Sequence, residues 1–108
     1  MVLIDKTIKE TLFEALESFG YDIQKDITIE EMAELTKELI KEKRHDDNLD
    51  EVIDEIADVY IMICQMIIMY GEKQVEKRII TKIKRLYARI ELVNDKDSKD
   101  GKLGEGFY

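Results

Sequence analysis

Two pairs of acidic residues at helical spacing are the feature of this sequence best suited to chemistry. Glu31 and Glu34 lie three positions apart in EEMAEL, and Glu55 and Asp58 lie three positions apart in DEIADV. Residues three apart on an α-helix project to nearly the same side, so each pair can present two carboxylates to one point. Four converging carboxylates repel one another unless a cation neutralises them, and hard oxygen ligands suit Mg²⁺ or Mn²⁺. The four acids are therefore candidate metal ligands.

The second acidic pair opens a segment that is otherwise apolar. No charged residue lies from Val59 to Gly71, and Met62 and Gln65 continue the helical strip that carries Asp58. Buried carboxylates must be paired, protonated or bound to metal. The alternative is a solvated acidic face, on which a like-charged pair costs only ~0.2–0.5 kcal/mol. Glu34 falls nearly opposite the apolar stripe of its own helix, which favours the alternative for that residue.

Periodicity and capping signals predict four helices that would position these acids. The first ends at Gly20, and the second starts near Ile29, after a capping-box pattern at Thr28 and Glu31, and runs to about Lys43. The third begins at Asn48 or Leu49 and ends at Tyr70 before Gly71, and the fourth covers residues 73–92. No strand-like alternation of useful length appears. The predicted fold class is an all-α helical bundle of about four helices.

An antiparallel pairing of the second and third helices would bring the two acidic pairs together. If the chain turns around residues 44–48, Glu34 lies roughly 15 Å and Asp58 roughly 14 Å from the turn, at a rise of 1.5 Å per residue. The two pairs would then meet at the same level of the hairpin.

The length and composition indicate one small domain. The chain has 108 residues, no Pro and five Gly, of which three lie in the last eight residues, so no linker interrupts it before the polar stretch 94–108. We expect a domain over 1–93 and a flexible tail over 94–108. Apolar residues surround the whole circumference of Val59–Tyr70, and one small protomer has a limited core. We therefore expect a homo-oligomer, a dimer or tetramer, that completes the core.

The charge distribution limits the classes of partner. The net charge of −8 argues against nucleic acid or an anionic membrane surface as the main partner. Residues 72–89 nevertheless carry seven Lys or Arg and two Glu, a local charge of +5 that leaves −13 for the rest of the chain. One zone thus suits a cation and the other an anion.

The single cysteine and the single histidine exclude several kinds of site. Cys64 has no intrachain partner for a disulfide, lies in the apolar run, and is expected to be a buried structural thiol. A di-iron carboxylate bundle would need two ExxH pairs, whereas His45 stands alone in a predicted turn. The start of the chain lacks a signal-peptide pattern, and thirteen uncharged residues fall short of the ~20 that span a bilayer. We expect a cytoplasmic protein with no membrane segment.

The acidic pairs and their flanks resemble the MazG-like all-α nucleotide pyrophosphohydrolases. The pattern is EExxE, then twenty residues, then ExxD. The segment FGYDIQKDITIEEMAEL resembles the entry to that family's second helix, DEIADVYIMICQM resembles the helix that follows, and TKIKRLYARIE resembles the basic segment after the metal helices. The resemblance covers roughly residues 1–92.

The resemblance implies hydrolysis of a nucleoside triphosphate between its α- and β-phosphates, with a role in clearing unwanted nucleotides. It implies that Mg²⁺ is held by Glu31, Glu34, Glu55 and Asp58, which form the catalytic group. It also implies that Lys82 and Arg85 face the phosphates and that Gln24 contacts the substrate's base. Leu86 stands where the family often has a further basic residue, so the basic half of the site departs from the pattern. A solvated helix face is the alternative for Lys82 and Arg85.

The alternative function is a non-enzymatic helical interaction protein. In that reading the apolar third helix serves assembly, and the acids and bases form surface ion pairs. The combination of ExxE and ExxD favours the enzyme, because an assembly module does not need four converging acids. The pattern identifies neither the nucleotide nor the general base.

Overall fold

The computed structural model describes residues 5–95, and this part of the chain is all-α. It contains four helices: α1 (Lys6–Phe19), α2 (Tyr21–Lys43), α3 (Leu49–Tyr70) and α4 (Glu72–Asp95). Helices account for 91% of the described residues, which include no strand, and the predicted fold class is confirmed. Asn94 and Asp95, the first two residues of the predicted tail, belong to α4. The rest of that tail lies outside the described residues.

The chain divides into two compact units, one ending at Gly71 and one beginning at Glu72. In the first unit α2 and α3 form the main helix pair, and α1 packs on both. Its buried apolar side chains come from α1 and α3: Leu12, Leu16, Val52, Met62, Cys64 and Ile67. The buried residues of α2 are all polar, namely Gln24, Thr28 and Glu38. The surface between α2 and α3 therefore contains an unusual share of hydrogen-bonding groups.

The start of α2 differs from the prediction. The helix begins at Tyr21, eight residues before the predicted Ile29, and Gly20 both ends α1 and precedes α2. Gly20 has a φ of +100°, and its N–H donates to the Leu16 carbonyl while its own carbonyl accepts from the Gln24 N–H. A residue without Cβ adopts this φ readily, so α2 can follow α1 with no loop between them. The predicted capping box was wrong: the Thr28 hydroxyl donates to the Gln24 carbonyl inside the helix, at 2.8 Å.

The predicted end of α2 and the predicted limits of α3 are confirmed. His45, in the turn between the two helices, has a φ of 67°. Asn48 precedes α3 but does not cap it with its side chain. Instead its Nδ2 donates to the Glu38 carbonyl at 3.0 Å and to Glu38 Oε1 at 2.9 Å. This pair ties the end of α2 to the start of α3.

The apolar run of α3 is covered better than the sequence led us to expect. Met62, Cys64, Gln65 and Ile67 are buried, whereas Ile61 and Tyr70 are the members that stay exposed. The oligomer expected from this run stays a prediction. No helix within residues 5–95 is long and apolar enough to cross a membrane.

The second unit contributes one described helix, α4, which extends beyond the predicted 73–92 at both ends. It has no buried residue. Its apolar side chains are largely exposed, including Ile83 at 57% and Tyr87 at 65%. Exposed apolar side chains thus occur on α4 as they do on α2 and α3.

Candidate metal centre

Three of the four predicted ligands come together where α2 faces α3. Glu31, Glu55 and Asp58 each offer a carboxylate oxygen, and these oxygens lie within 4.8 Å of one another. Glu31 and Glu55 are half-buried and Asp58 is exposed. The three-acid cluster thus has a closed side formed by the helix pair and an open side through which a ligand can enter.

Two oxygens of the three-acid cluster lack any hydrogen-bond donor. Glu31 Oε2 and Glu55 Oε2 are buried and without a partner. An ionised carboxylate only accepts hydrogen bonds, so three such groups cannot satisfy one another. Leaving a buried polar atom unpaired costs ~1–3 kcal/mol, and more when it is charged. A proton or a cation bound at the cluster would remove this cost.

The surroundings of the Glu31 carboxyl also favour its protonated form. Burial raises the pKa of the Glu31 carboxyl above its usual range, and the charges of Asp58 and Glu55 raise it further. Hydrogen bonds from the protonated acid to Asp58 and Glu55 add to the shift. A proton on Glu31 supplies the donor that the ionised cluster lacks. A metal ion would replace that proton with a larger positive charge.

The donor set fits a hard divalent cation. All three groups are carboxylates, and no cysteine or histidine belongs to the cluster. Oxygen-only sites with an open side are typical of Mg²⁺ and Mn²⁺, which retain water molecules and reach substrate phosphates. Exposed acidic groups often cluster without an ion, but here two of the oxygens are buried and unpaired. That pair of atoms is the observation that favours a metal.

Glu34, the fourth predicted ligand, does not belong to the cluster. It is exposed, one turn along α2 from Glu31. Residues three apart on a helix diverge by about 60°, and Glu31 is the one of this pair on the side facing α3. A role for Glu34 as a ligand stays a prediction.

Gln24, the predicted base-contacting residue, lies inside the α2–α3 interface. It is 4% exposed, and its Nε2 donates to Gln65 Oε1 at 2.7 Å. The Gln65 Nε2 in turn lies 3.7 Å from the Met62 sulfur. Gln24 Oε1 is buried without a partner. A base contact through Gln24 stays a prediction.

The predicted phosphate-facing residues, Lys82 and Arg85, lie on α4 in the second unit. Both are exposed and three positions apart, so they share one side of that helix. Their role toward a substrate stays a prediction. Cys64 is buried, as expected of a structural thiol, and burial raises the pKa of its thiol.

The sequence reasoning missed the two polar pairs that fix the register of α2 on α3. These are Gln24 with Gln65 and Glu38 with Asn48. Together with the cluster they form a series along the hairpin, in which Glu38 lies nearest the turn, Glu31 next and Gln24 farthest. A glutamine inside the uncharged run of α3 was the available signal for the first pair, because buried polar groups need partners.

Comparison of the chain with family models, curated proteins and solved structures finds no match. The resemblance to MazG-like pyrophosphohydrolases accordingly stays a prediction from the residues quoted above.

Proposed function

We propose that this chain is a Mg²⁺-dependent nucleoside triphosphate pyrophosphohydrolase that releases a nucleoside monophosphate and pyrophosphate. The observation that carries the proposal is the three-acid cluster, with its oxygens within 4.8 Å and two of them buried and unpaired. The MazG-like pattern of the sequence supports the choice of reaction. A role in clearing unwanted nucleotides in the cytoplasm is part of the same proposal.

Glu31, Glu55 and Asp58 would hold the cation, with Glu34 as an additional predicted ligand. When bound, Mg²⁺ neutralises phosphate oxygens and lowers the pKa of a water molecule that attacks phosphorus. The protein's part is to keep three carboxylates at a fixed separation. The α2–α3 interface does this through the buried pairs on either side of the cluster, Gln24 with Gln65 and Glu38 with Asn48.

Glu31 is the acid that we assign as the general base. Burial and the two neighbouring carboxylates raise its pKa in the metal-free cluster, which favours proton uptake at this carboxylate. Glu31 Oε2, like Glu55 Oε2, is buried without a hydrogen-bond partner. In the proposed reaction this oxygen receives the proton of the attacking water.

The basic side of α4 supplies the complementary charge for the leaving group. Lys82 and Arg85 would hydrogen-bond to the pyrophosphate as negative charge develops on it. The guanidinium of Arg85 can bind two phosphate oxygens at once, whereas Lys82 acts as a point charge. Gln24 is the proposed contact to the base.

The test is a product analysis in ¹⁸O-labelled water. The purified chain is incubated with standard, deoxy and damaged nucleoside triphosphates plus Mg²⁺, and the phosphate products are separated. The proposal expects label in the nucleoside monophosphate and unlabelled pyrophosphate, with no turnover in EDTA. Labelled pyrophosphate would mean attack at the β-phosphorus, and orthophosphate with a diphosphate would mean a γ-phosphatase. Either result would contradict the reaction proposed, as would the absence of turnover across the panel.

A second candidate function is a non-enzymatic assembly module. The observation that favours it is the exposure of apolar side chains on α4, which has no buried residue. A homo-oligomer of two or four chains would cover that area. This candidate expects the chain to associate while the product analysis shows no hydrolysis of any triphosphate.

A further inference from the structure

Two isoleucines, Ile27 and Ile61, lie beside the three-acid cluster, one on each helix of the α2–α3 pair. Ile27 is four residues before Glu31 on α2, and Ile61 is three residues after Asp58 on α3. At about 1.5 Å per residue, these spacings correspond to about 6 Å and about 4.5 Å along the two helices. Ile27 is half-buried and Ile61 is 47% exposed. This isoleucine pair therefore places apolar surface next to the carboxylates.

The contacts between α2 and α3 put the isoleucine pair at one level of the hairpin. Gln24 of α2 donates to Gln65 of α3, and Glu31 meets Asp58 in the cluster. On α2 the isoleucine lies between Gln24 and Glu31, and on α3 it lies between Asp58 and Gln65. Both isoleucines thus occupy the helical turn that separates the glutamine pair from the cluster.

The isoleucine pair also lies toward the open side of the cluster. Each isoleucine comes three positions after one residue of the interface and four before the next, so both are rotated from it by about 50° in the same sense. Because α2 and α3 are antiparallel, the same sense of rotation leads to the same side of the hairpin. On α3 this rotation runs from the half-buried Glu55 to the exposed Asp58. Thr28, which is rotated in the opposite sense on α2, is buried.

The open side has a different character on the other side of the cluster, toward the α2–α3 turn. Glu34 comes three positions after Glu31, and Asp54 comes four before Asp58, so both are rotated in the same sense as the isoleucine pair. Both acids are exposed. An uncharged organic group attached to a metal-bound phosphate therefore finds apolar surface in only one of the two directions along the hairpin, at the isoleucine pair.

We propose that the isoleucine pair binds the nucleoside part of the metal-bound nucleotide. The inference rests on the proposed function, which places the nucleotide's phosphates at the cluster. Ligand sites are lined mainly by apolar side chains, with a few polar groups that fix the orientation. An isoleucine side chain offers no hydrogen-bonding group that could read the edge of a base. This contact consequently distinguishes a nucleotide from inorganic polyphosphate but does not by itself select one base.

The test is NMR spectroscopy of protein labelled with ¹³C at its isoleucine methyl groups, in the presence of Mg²⁺. The probe is a nucleoside triphosphate with a methylene bridge between the α- and β-phosphorus, which cannot be hydrolysed at that position, and the reference ligand is inorganic triphosphate. The resonances of Ile27 and Ile61 should shift with the nucleotide but not with inorganic triphosphate. Those of Ile29 and Ile53, exposed on other sides of α2 and α3, should shift with neither ligand.

A truncation with a matched control completes the test. Ile61→Ala should weaken binding of the bridged nucleotide by about tenfold while Mn²⁺ binds with unchanged affinity in the absence of nucleotide. Ile53→Ala makes the same truncation at a similarly exposed position of α3, 54% against 47%, and should bind the nucleotide like the wild type.

Three results would overturn the inference: a nucleotide that leaves both resonances of the isoleucine pair in place, inorganic triphosphate that shifts them equally, or two truncated variants that bind the nucleotide alike. Its failure is distinguishable from failure of the proposed function. Hydrolysis in the product analysis with unshifted resonances would reject the isoleucine contact alone. Shifted resonances without hydrolysis would reject the reaction alone.

Discussion

The α2–α3 pair and α4 are built from helices of nearly equal length, yet they differ in what they bury. The helices have 23, 22 and 24 residues. The α2–α3 pair buries polar side chains and satisfies most of them across the interface, whereas α4 has no buried residue. Helical periodicity alone thus produces a helix in both places. Only the interface with hydrogen-bond pairs fixes side chains to the precision that a metal centre requires.

The acidic and basic zones of the sequence lie in these two different regions, the acids on α2 and α3 and the bases on α4. The acids of α2 and α3 gather into a cluster because the register of the two helices is fixed on both sides of it.

Removing one charge from the cluster should have the largest effect. Asp58→Asn and Glu55→Gln keep the size of the side chain but remove a carboxylate, and we expect each to lower the rate of hydrolysis by about 10²-fold or more. Circular dichroism should show an unchanged helix content. The rate of product release in the presence of Mg²⁺ is the measurement.

Glu34→Gln is the matched variant from the exposed side of α2. Since Glu34 lies outside the cluster, we expect a smaller loss of activity than for Asp58→Asn. An equal loss would mean that Glu34 enters the coordination sphere when metal and substrate bind. Full activity in both variants would remove the cluster from the mechanism.

Truncating an apolar side chain should cost more unfolding free energy in the α1–α3 unit than on α4. Leu16 is fully buried, and Leu16→Ala should lower the free energy of unfolding by ~2–5 kcal/mol. Ile83 of α4 is 57% exposed, so Ile83→Ala should cost less than ~1 kcal/mol at concentrations where the chain is monomeric. Urea denaturation of both variants gives the comparison. A similar cost at the two sites would contradict the contrast between buried and exposed helices.

The Gln24–Gln65 pair should behave as a coupled unit. Gln65→Leu leaves the buried Gln24 amide without its acceptor, and we expect a loss of ~1–3 kcal/mol in unfolding free energy. The double variant Gln24→Leu with Gln65→Leu replaces both partners and should recover much of that loss. Additive effects of the two single changes in a double-mutant cycle would show that the pair is not coupled.

The pH dependence of stability should be a smaller effect and should depend on metal. In EDTA the raised pKa of Glu31 favours the folded state fully below the ordinary value of 4.5, and this contribution is lost as pH rises through the folded pKa. Glu31→Gln should abolish that decline in a series of denaturation curves. Mg²⁺ should restore stability at neutral pH in the wild type but not in the variant.

Glu38 should change the pH dependence of stability in the opposite direction to Glu31. The hydrogen bond from Asn48 lowers the pKa of the Glu38 carboxyl. Its contribution is present above 4.5 and is lost as pH falls through the lowered pKa. Asn48→Ala should therefore flatten the acid side of the stability curve, and Asp47→Ala, at the exposed neighbouring position, should leave it unchanged.

The sequence allowed most of the helices to be predicted but not the junction at Gly20. Apolar periodicity and the glycine at position 71 are local signals, and the limits of α3 follow them, although Asn48 does not cap α3 with its side chain. The start of α2 was missed because Thr28 and Glu31 have the spacing of a capping box within a continuous helix. A glycine with positive φ ends one helix and permits the next to begin at once, which periodicity does not reveal.

For the candidate site, the spacing of the acidic residues correctly predicted that acids of α2 and α3 would meet. It did not determine which of those acids face the other helix. The ExxE motif does not distinguish Glu31 from Glu34 as a ligand. Which of the two faces α3 depends on how α2 is rotated about its own axis. That rotation depends on contacts such as Gln24 with Gln65, which join residues 41 positions apart. The relation of two residues so distant in sequence requires the packed structure.

The most direct test of the central claim is a Mn²⁺ titration followed by electron paramagnetic resonance, without nucleotide. At neutral pH the wild type should bind Mn²⁺ saturably, with Mg²⁺ competing for the site. Glu31→Gln and Asp58→Asn should each weaken binding by about tenfold or more, because each removes one carboxylate from the cluster. The control Asp46→Asn with Asp47→Asn should bind like the wild type. Absence of saturable binding, or equal affinity in all four proteins, would contradict the assignment of these carboxylates as a metal centre.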